Sequence, residues 1–101
     1  MLHVLREARV EGIEASKWYE DQRSGLGDQF LDELQAAIER ISESPSSFAM
    51  LEQYSGRHDV RRCRLKRFPY GVIFFIRGDD VVVVAVCHAR RRPLYWADRI
   101  K

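Results

Sequence analysis

At 101 residues, with 46% hydrophobic and 32% charged content, the chain has the composition of one ordinary globular domain, with enough length for a single core and not for two. No apolar run approaches the roughly 20 residues of a membrane-spanning helix, and a start that turns charged at Arg6 does not read as a signal peptide. The net charge of +2 conceals a division, −6 over residues 1–56 and +8 over residues 57–101. The basic half points to an anionic partner, whether nucleic acid, an acidic peptide or an acidic protein surface, unless the two halves neutralise each other across the fold.

Residues 2–6 alternate weakly and read as a short first strand ending near Glu7. Residues 8–23 hold no proline and predict a helix, in which Ala8, Gly12, Ala15 and Tyr19 share one side at i, i+4 spacing. Small residues in such a row let another helix approach closely. Glu11, Glu14, Lys17 and Asp21 read as its solvated face. Ser24-Gly25-Leu26-Gly27 breaks the helix, and Asp28 offers a side-chain cap to the next one. The second helix carries Phe30, Leu34, Ala37, Ile38 and Ile41 as one stripe, the pattern of core packing, and Ser44-Pro45-Ser46-Ser47 ends it. So short a turn between two helices predicts an antiparallel pair.

Residues 48–56 read as a connector, with Phe48, Met50 and Leu51 as its anchors to the core. Residues 57–66 read as a strand. Arg61, Cys63 and Leu65 lie on one face; Val60, Arg62, Arg64 and Lys66 lie on the other, three of them cations at period two. Two apolar runs, residues 70–76 and 81–87, flank Arg77-Gly78-Asp79-Asp80 and predict a long hairpin with a type II′ turn led by Gly78. The register that follows sets Phe74 against Val83, Val72 against Ala85 and Tyr70 against Cys87, with Ile73 against Val84 on the opposite side. Both hairpin faces are apolar, so both require cover. Two short helices suffice for one, which predicts an exposed hydrophobic strip on the other. In the tail, Pro93 can open a last helical turn and Trp96 is its anchor. The architecture predicted is α+β, in the order β-α-α-β-β-β, a helical hairpin on a small and mostly antiparallel sheet within a single domain of residues 1–101.

Cys63 and Cys87 match neither a zinc spacing nor a redox pair and read as buried free thiols, which fits a reducing cytoplasm. His3, His58 and His88 have no partners at metal-ligand spacing, and there is no glycine-rich phosphate loop, so no metal or cofactor is expected. Asp79-Asp80 is a solvated turn. One constellation bears on function: Arg62, Arg64 and Lys66 on one strand, with His88, Arg90, Arg91 and Arg92 leaving the adjoining one. Such a surface binds phosphates or carboxylates. With His88 and Tyr95 as proton-transfer groups it could also support RNA cleavage by a 2′-hydroxyl attack. Structural readings compete, with His88 as a strand-end hydrogen-bonding residue and Arg90, Arg91 and Arg92 as partners of the acidic helices.

The order Trp18-Tyr19-Glu20, Gly25-Leu26-Gly27, Phe30, Pro45, Arg61-Arg62, Arg67-Phe68-Pro69-Tyr70, Ala85-Val86-Cys87-His88, Arg91-Arg92-Pro93, Trp96 and Arg99 resembles the ParE/RelE toxin superfamily over nearly the whole chain. These are toxins of bacterial type II toxin–antitoxin modules, often called plasmid stabilisation proteins. The resemblance implies the same β-α-α-β-β-β fold, growth inhibition, and a hetero-oligomer with a cognate antitoxin whose acidic C-terminal segment wraps the toxin. RelE-like members cut messenger RNA on the ribosome; ParE-like members poison DNA gyrase. The Arg-Phe-Pro-Tyr and His-x-x-Arg-Arg-Pro stretches are similar to the ParE side, and residues 96–101 hold no terminal His-Tyr pair. The resemblance therefore implies a binding toxin with no catalytic residues. On the nuclease alternative, His88, Arg62 and Tyr95 would be the catalytic set. Arg62, Arg64, Lys66, His88, Arg90, Arg91 and Arg92 would meet the antitoxin or target in either case.

Overall fold

The computed structural model describes residues 1–100. Its elements in chain order are β1 (Leu2–Val4), α1 (Arg6–Gln22), α2 (Leu26–Glu43), β2 (Asp59–Arg64), β3 (Tyr70–Arg77) and β4 (Asp80–His88), with single 3-10 turns at Pro45–Ser47 and Ala97–Arg99. The sheet order is β1-β4-β3-β2; β1 runs parallel to β4 and the other pairs are antiparallel. The predicted order of elements therefore holds, as a helical pair on a mixed sheet. β1 is shorter than expected: Leu5 still donates its N–H to the Val83 carbonyl at 3.0 Å, and α1 begins at Arg6.

The helices pack antiparallel on small residues. A Cβ added at Gly12 would stand 3.0 Å from the Leu34 side chain, and one at Gly27 would stand 2.6 Å from the Ser16 carbonyl oxygen. Ala8, Ala15, Phe30, Leu34, Ala37 and Ile41 are buried with Cys63, Val72, Phe74 and Val83 in one core between helices and sheet. The expected cap at Asp28 is not used. Gly25, at φ +88°, opens α2, and the Glu20 carboxylate reaches across the turn to accept the N–H groups of Gly25 and Gly27 at 3.0 Å. Only glycine adopts that left-handed corner without strain, and Glu20 satisfies donors left unbonded at a helix start.

The turn of the hairpin is as predicted, with positive φ at Gly78 and not at Asp79, and the register holds from Arg77–Asp80 to Phe74–Val83. Beyond that point it slips. Ile73 pairs with Ala85, Val72 with Val86 and Tyr70 with His88, so Val84 is the extra residue of a β-bulge. The bulge turns Val84 and Ala85 to the same face, into a second core with Val60, Ile73, Phe75 and Trp96. Leu5, Leu51, Tyr54, Leu94, Tyr95 and Ile100 pack around it. The exposed strip predicted from two apolar faces is therefore absent, because the tail and the connector cover the side that the helices do not. Leu51 and Phe48 anchor the connector as expected, whereas Met50 is 59% exposed. Arg61 replaces it, bonding Asp59 and the carbonyls of Ser46 and Phe48 at 2.7–2.9 Å. The last helical turn starts at Ala97, later than Pro93 suggested. No helix among the described residues is long and apolar enough to cross a membrane.

Candidate functional site

The C-terminal end of β2, the N-terminal end of β3 and the C-terminal end of β4 meet at one edge of the molecule. There, residues 65–70 and the tail after His88 form the two lips of a cleft of about 630 Å³. Its floor includes Leu51, Ile73, Cys87, Leu94 and Trp96 from the second core; its walls carry Arg62, Arg64, Lys66, Arg67, Arg91 and Arg92, and among the described residues no carboxylate lines it. Arg62 reaches it because Gly71 has no side chain: a Cβ there would lie 3.2 Å from the Arg62 Cδ. A second recess of about 520 Å³, on the far side of Arg62 and Arg64, does hold an acid, Glu52.

The structure thus brings together Arg62, Arg64, Lys66, His88, Arg91, Arg92 and Tyr95; of the candidates from sequence, only Arg90 lies outside the cleft. Arg90 instead donates its backbone N–H to His88 Nδ1 at 3.0 Å, which bears out the reading of His88 as a strand-end hydrogen-bonding residue. The His88 ring stands edge-on to Tyr70, its cross-strand partner after the bulge, at 5.1 Å. Among the described residues, Arg90, Arg91 and Arg92 form no ion pair with the acidic helices. The cations that do are Arg67 and Arg99, through Glu33 and Glu11.

Glu11, read from sequence as solvated, is the largest departure. The β1 strand pairs with β4 only through Val83, so the N–H of Val86 is left without a strand partner. Glu11 Oε1 accepts it at 3.0 Å, and the same carboxylate takes the Tyr95 hydroxyl at 2.6 Å and both Arg99 Nη groups at 2.9 and 3.1 Å. Arg99 also donates to the carbonyl of the bulged Val84 at 2.9 Å. Burial and the Glu11 bond push the Tyr95 phenol well above its usual range, and burial pushes the Cys87 thiol up. The Tyr95 hydroxyl thus points at a carboxylate behind the cleft wall, and the guanidiniums of Arg91 and Arg99 stand 4.0 Å and 5.2 Å from its ring centroid. A phenol so held is a poor proton donor, and it faces away from a ligand in the cleft.

Arg67 was also missed as a cleft residue. Glu33 accepts its Nε at 3.0 Å and its backbone N–H at 3.1 Å, together with the N–H of Lys66. Burial alone would raise the Glu33 carboxyl, but these bonds outweigh it and hold the group below the usual carboxylate value. For both acids the available signal was position. Each flanks a buried helical stripe, Glu11 beside Gly12 and Glu33 beside Leu34.

The model of the ParE toxin of type II toxin–antitoxin systems, parDE, matches residues 5–93. Among solved structures, a chain of the chromosomal ParDE TA system from P. aeruginosa superposes with a TM-score of 0.62 at 16% identity, over 86% of this chain and 92% of that one. At that identity the likeness speaks for the fold alone. No curated protein matches the sequence. The family match takes in α1, α2, all of β2 to β4 and the cationic tail, and by it the chain belongs to the ParE toxins of type II toxin–antitoxin systems.

Proposed function

We propose that this toxin acts in the cytoplasm by binding, with DNA gyrase as its target, and that a cognate antitoxin neutralises it by laying an acidic C-terminal segment in the cationic cleft. The observation that carries this reading is the cleft itself: among the described residues, six Lys/Arg side chains surround an apolar floor and no carboxylate lines it. An acidic segment with apolar anchors matches both parts, and charge-assisted contacts to carboxylates contribute roughly 1.5–3 kcal/mol each. Antitoxin and target then compete for one surface, which makes neutralisation a matter of occupancy. The Glu11-bound Tyr95 hydroxyl supports binding over RNA cleavage.

Expression without a partner should arrest bacterial growth, and the purified protein should inhibit gyrase supercoiling while leaving ribosome-bound messenger uncut. Replacing Arg62 and Arg64 with Ala should abolish both effects and leave the protein folded, since solvated arginines add only about 0–1 kcal/mol each to stability. Messenger cleavage lost in His88→Ala would move the reading to the nuclease alternative.

A further inference from the structure

We infer that Glu11 is a positioning residue for the cleft, acting through Tyr95 on Arg91. The inference rests on the reading of the cleft as a binding surface for acidic ligands. Arg91 is exposed and has no ion-pair partner among the described residues; what fixes it is the face of Tyr95, 4.0 Å from its guanidinium. Tyr95 sits on the tail after the positive-φ residue Leu94, outside any helix or strand. Its ring is held at the far end by the 2.6 Å hydroxyl bond to Glu11. Glu11 is fixed in turn by the Val86 N–H and by Arg99, on β4 and the last 3-10 turn. Groups 75 to 88 positions away in sequence therefore converge on one carboxylate that lines no part of the cleft and yet sets the placement of a cation that does. An arginine held before its ligand arrives loses less side-chain freedom on binding, so the relay favours affinity without touching the ligand.

The test is a double-variant cycle read by fluorescence anisotropy, with a fluorescein-labelled peptide of alternating Glu and Leu as the probe. Arg62→Ala comes first: unchanged peptide affinity there would remove the cleft reading itself, separately from the relay. With that reading standing, Arg91→Ala and Glu11→Gln should each weaken the peptide about tenfold, the loss of roughly one charge-assisted contact. The double variant should be no weaker than Arg91→Ala alone. Losses that multiply to about a hundredfold, or a Glu11→Gln variant that binds like the parent, would overturn the relay. Should Glu11→Gln melt below the assay temperature, Tyr95→Phe takes its place in the cycle. It removes only the hydroxyl link and leaves Glu11 bonded to Val86 and Arg99. The same expectations and the same overturning results apply to it.

Discussion

The two tryptophans allow a controlled test of what the tail does. Trp96 is 2% exposed and lies in the second core with Ile73, Phe75, Val84 and Ala85, its ring 6.0 Å from Tyr54; Trp18 is 58% exposed on α1. Removing a buried tryptophan side chain costs about 3–5 kcal/mol, out of roughly 5–15 kcal/mol for a domain of this size. At about 4–8 °C per kcal/mol, Trp96→Ala should lower the melting temperature by roughly 12–40 °C. Trp18→Ala loses an edge-on contact with Tyr19 at 5.1 Å, a matter of about 0.5–1.5 kcal/mol. Circular dichroism melts measure both shifts, and intrinsic fluorescence identifies the residue responsible. The Trp18→Ala variant should emit as a buried indole that reddens on melting; the Trp96→Ala variant should emit as an exposed one throughout. If Trp96→Ala melts within about 5 °C of the parent, the tail is not the cover of the second sheet face and the reasoning fails.

Gly27→Ala would place a methyl 2.6 Å from the Ser16 carbonyl oxygen and 3.0 Å from the Glu20 side chain. Because one of those neighbours is backbone, the helices must separate, and a loss of about 1–3 kcal/mol is expected in urea unfolding. Glu33 supplies a pH dependence. Its carboxyl is held below the ordinary value of 4.5, so its stabilising contribution is complete above that value and is lost as pH falls through the lower, folded-state value. Unfolding free energies measured from pH 7 to pH 3 should therefore decline less steeply in Glu33→Gln than in the parent, and identical slopes would refute the assignment.

Periodicity made most of the fold legible. The stripe from Phe30 to Ile41, the small-residue row from Ala8 to Ala15 and the Gly78 turn each appear in the structure where they were read. The bulge was not legible, because Val81 to Val86 is apolar at every position and an extra residue leaves no break in such a run. Its consequence for the site is direct: the slip sets His88, and not Cys87, against Tyr70. The cover of the second face was misjudged for a related reason. Tyr54, Leu94 and Ile100 each lie in an irregular or terminal segment, where a lone apolar residue has no period to announce that it is buried. Six of the seven binding candidates meet in the cleft, since alternation along β2 already placed Arg62 and Arg64 on one side. Glu11 and Glu33 escaped notice because a helix pattern tells which face a carboxylate is on and not what backbone amide it will meet.

The division of charge along the sequence has a spatial outcome that neither simple reading anticipated. The acidic half does bond to the basic half, but selectively. Glu33 takes Arg67 and the turn amides beside it; Glu11 takes Arg99 and the amide of Val86. Each carboxylate secures one lip of the cleft, and the side-chain charges of the remaining wall cations, Arg62, Arg64, Lys66, Arg91 and Arg92, have no carboxylate partner among the described residues. Two helix carboxylates placed behind the cleft hold its lips while leaving the side-chain charges of the other five wall cations without a carboxylate partner among the described residues.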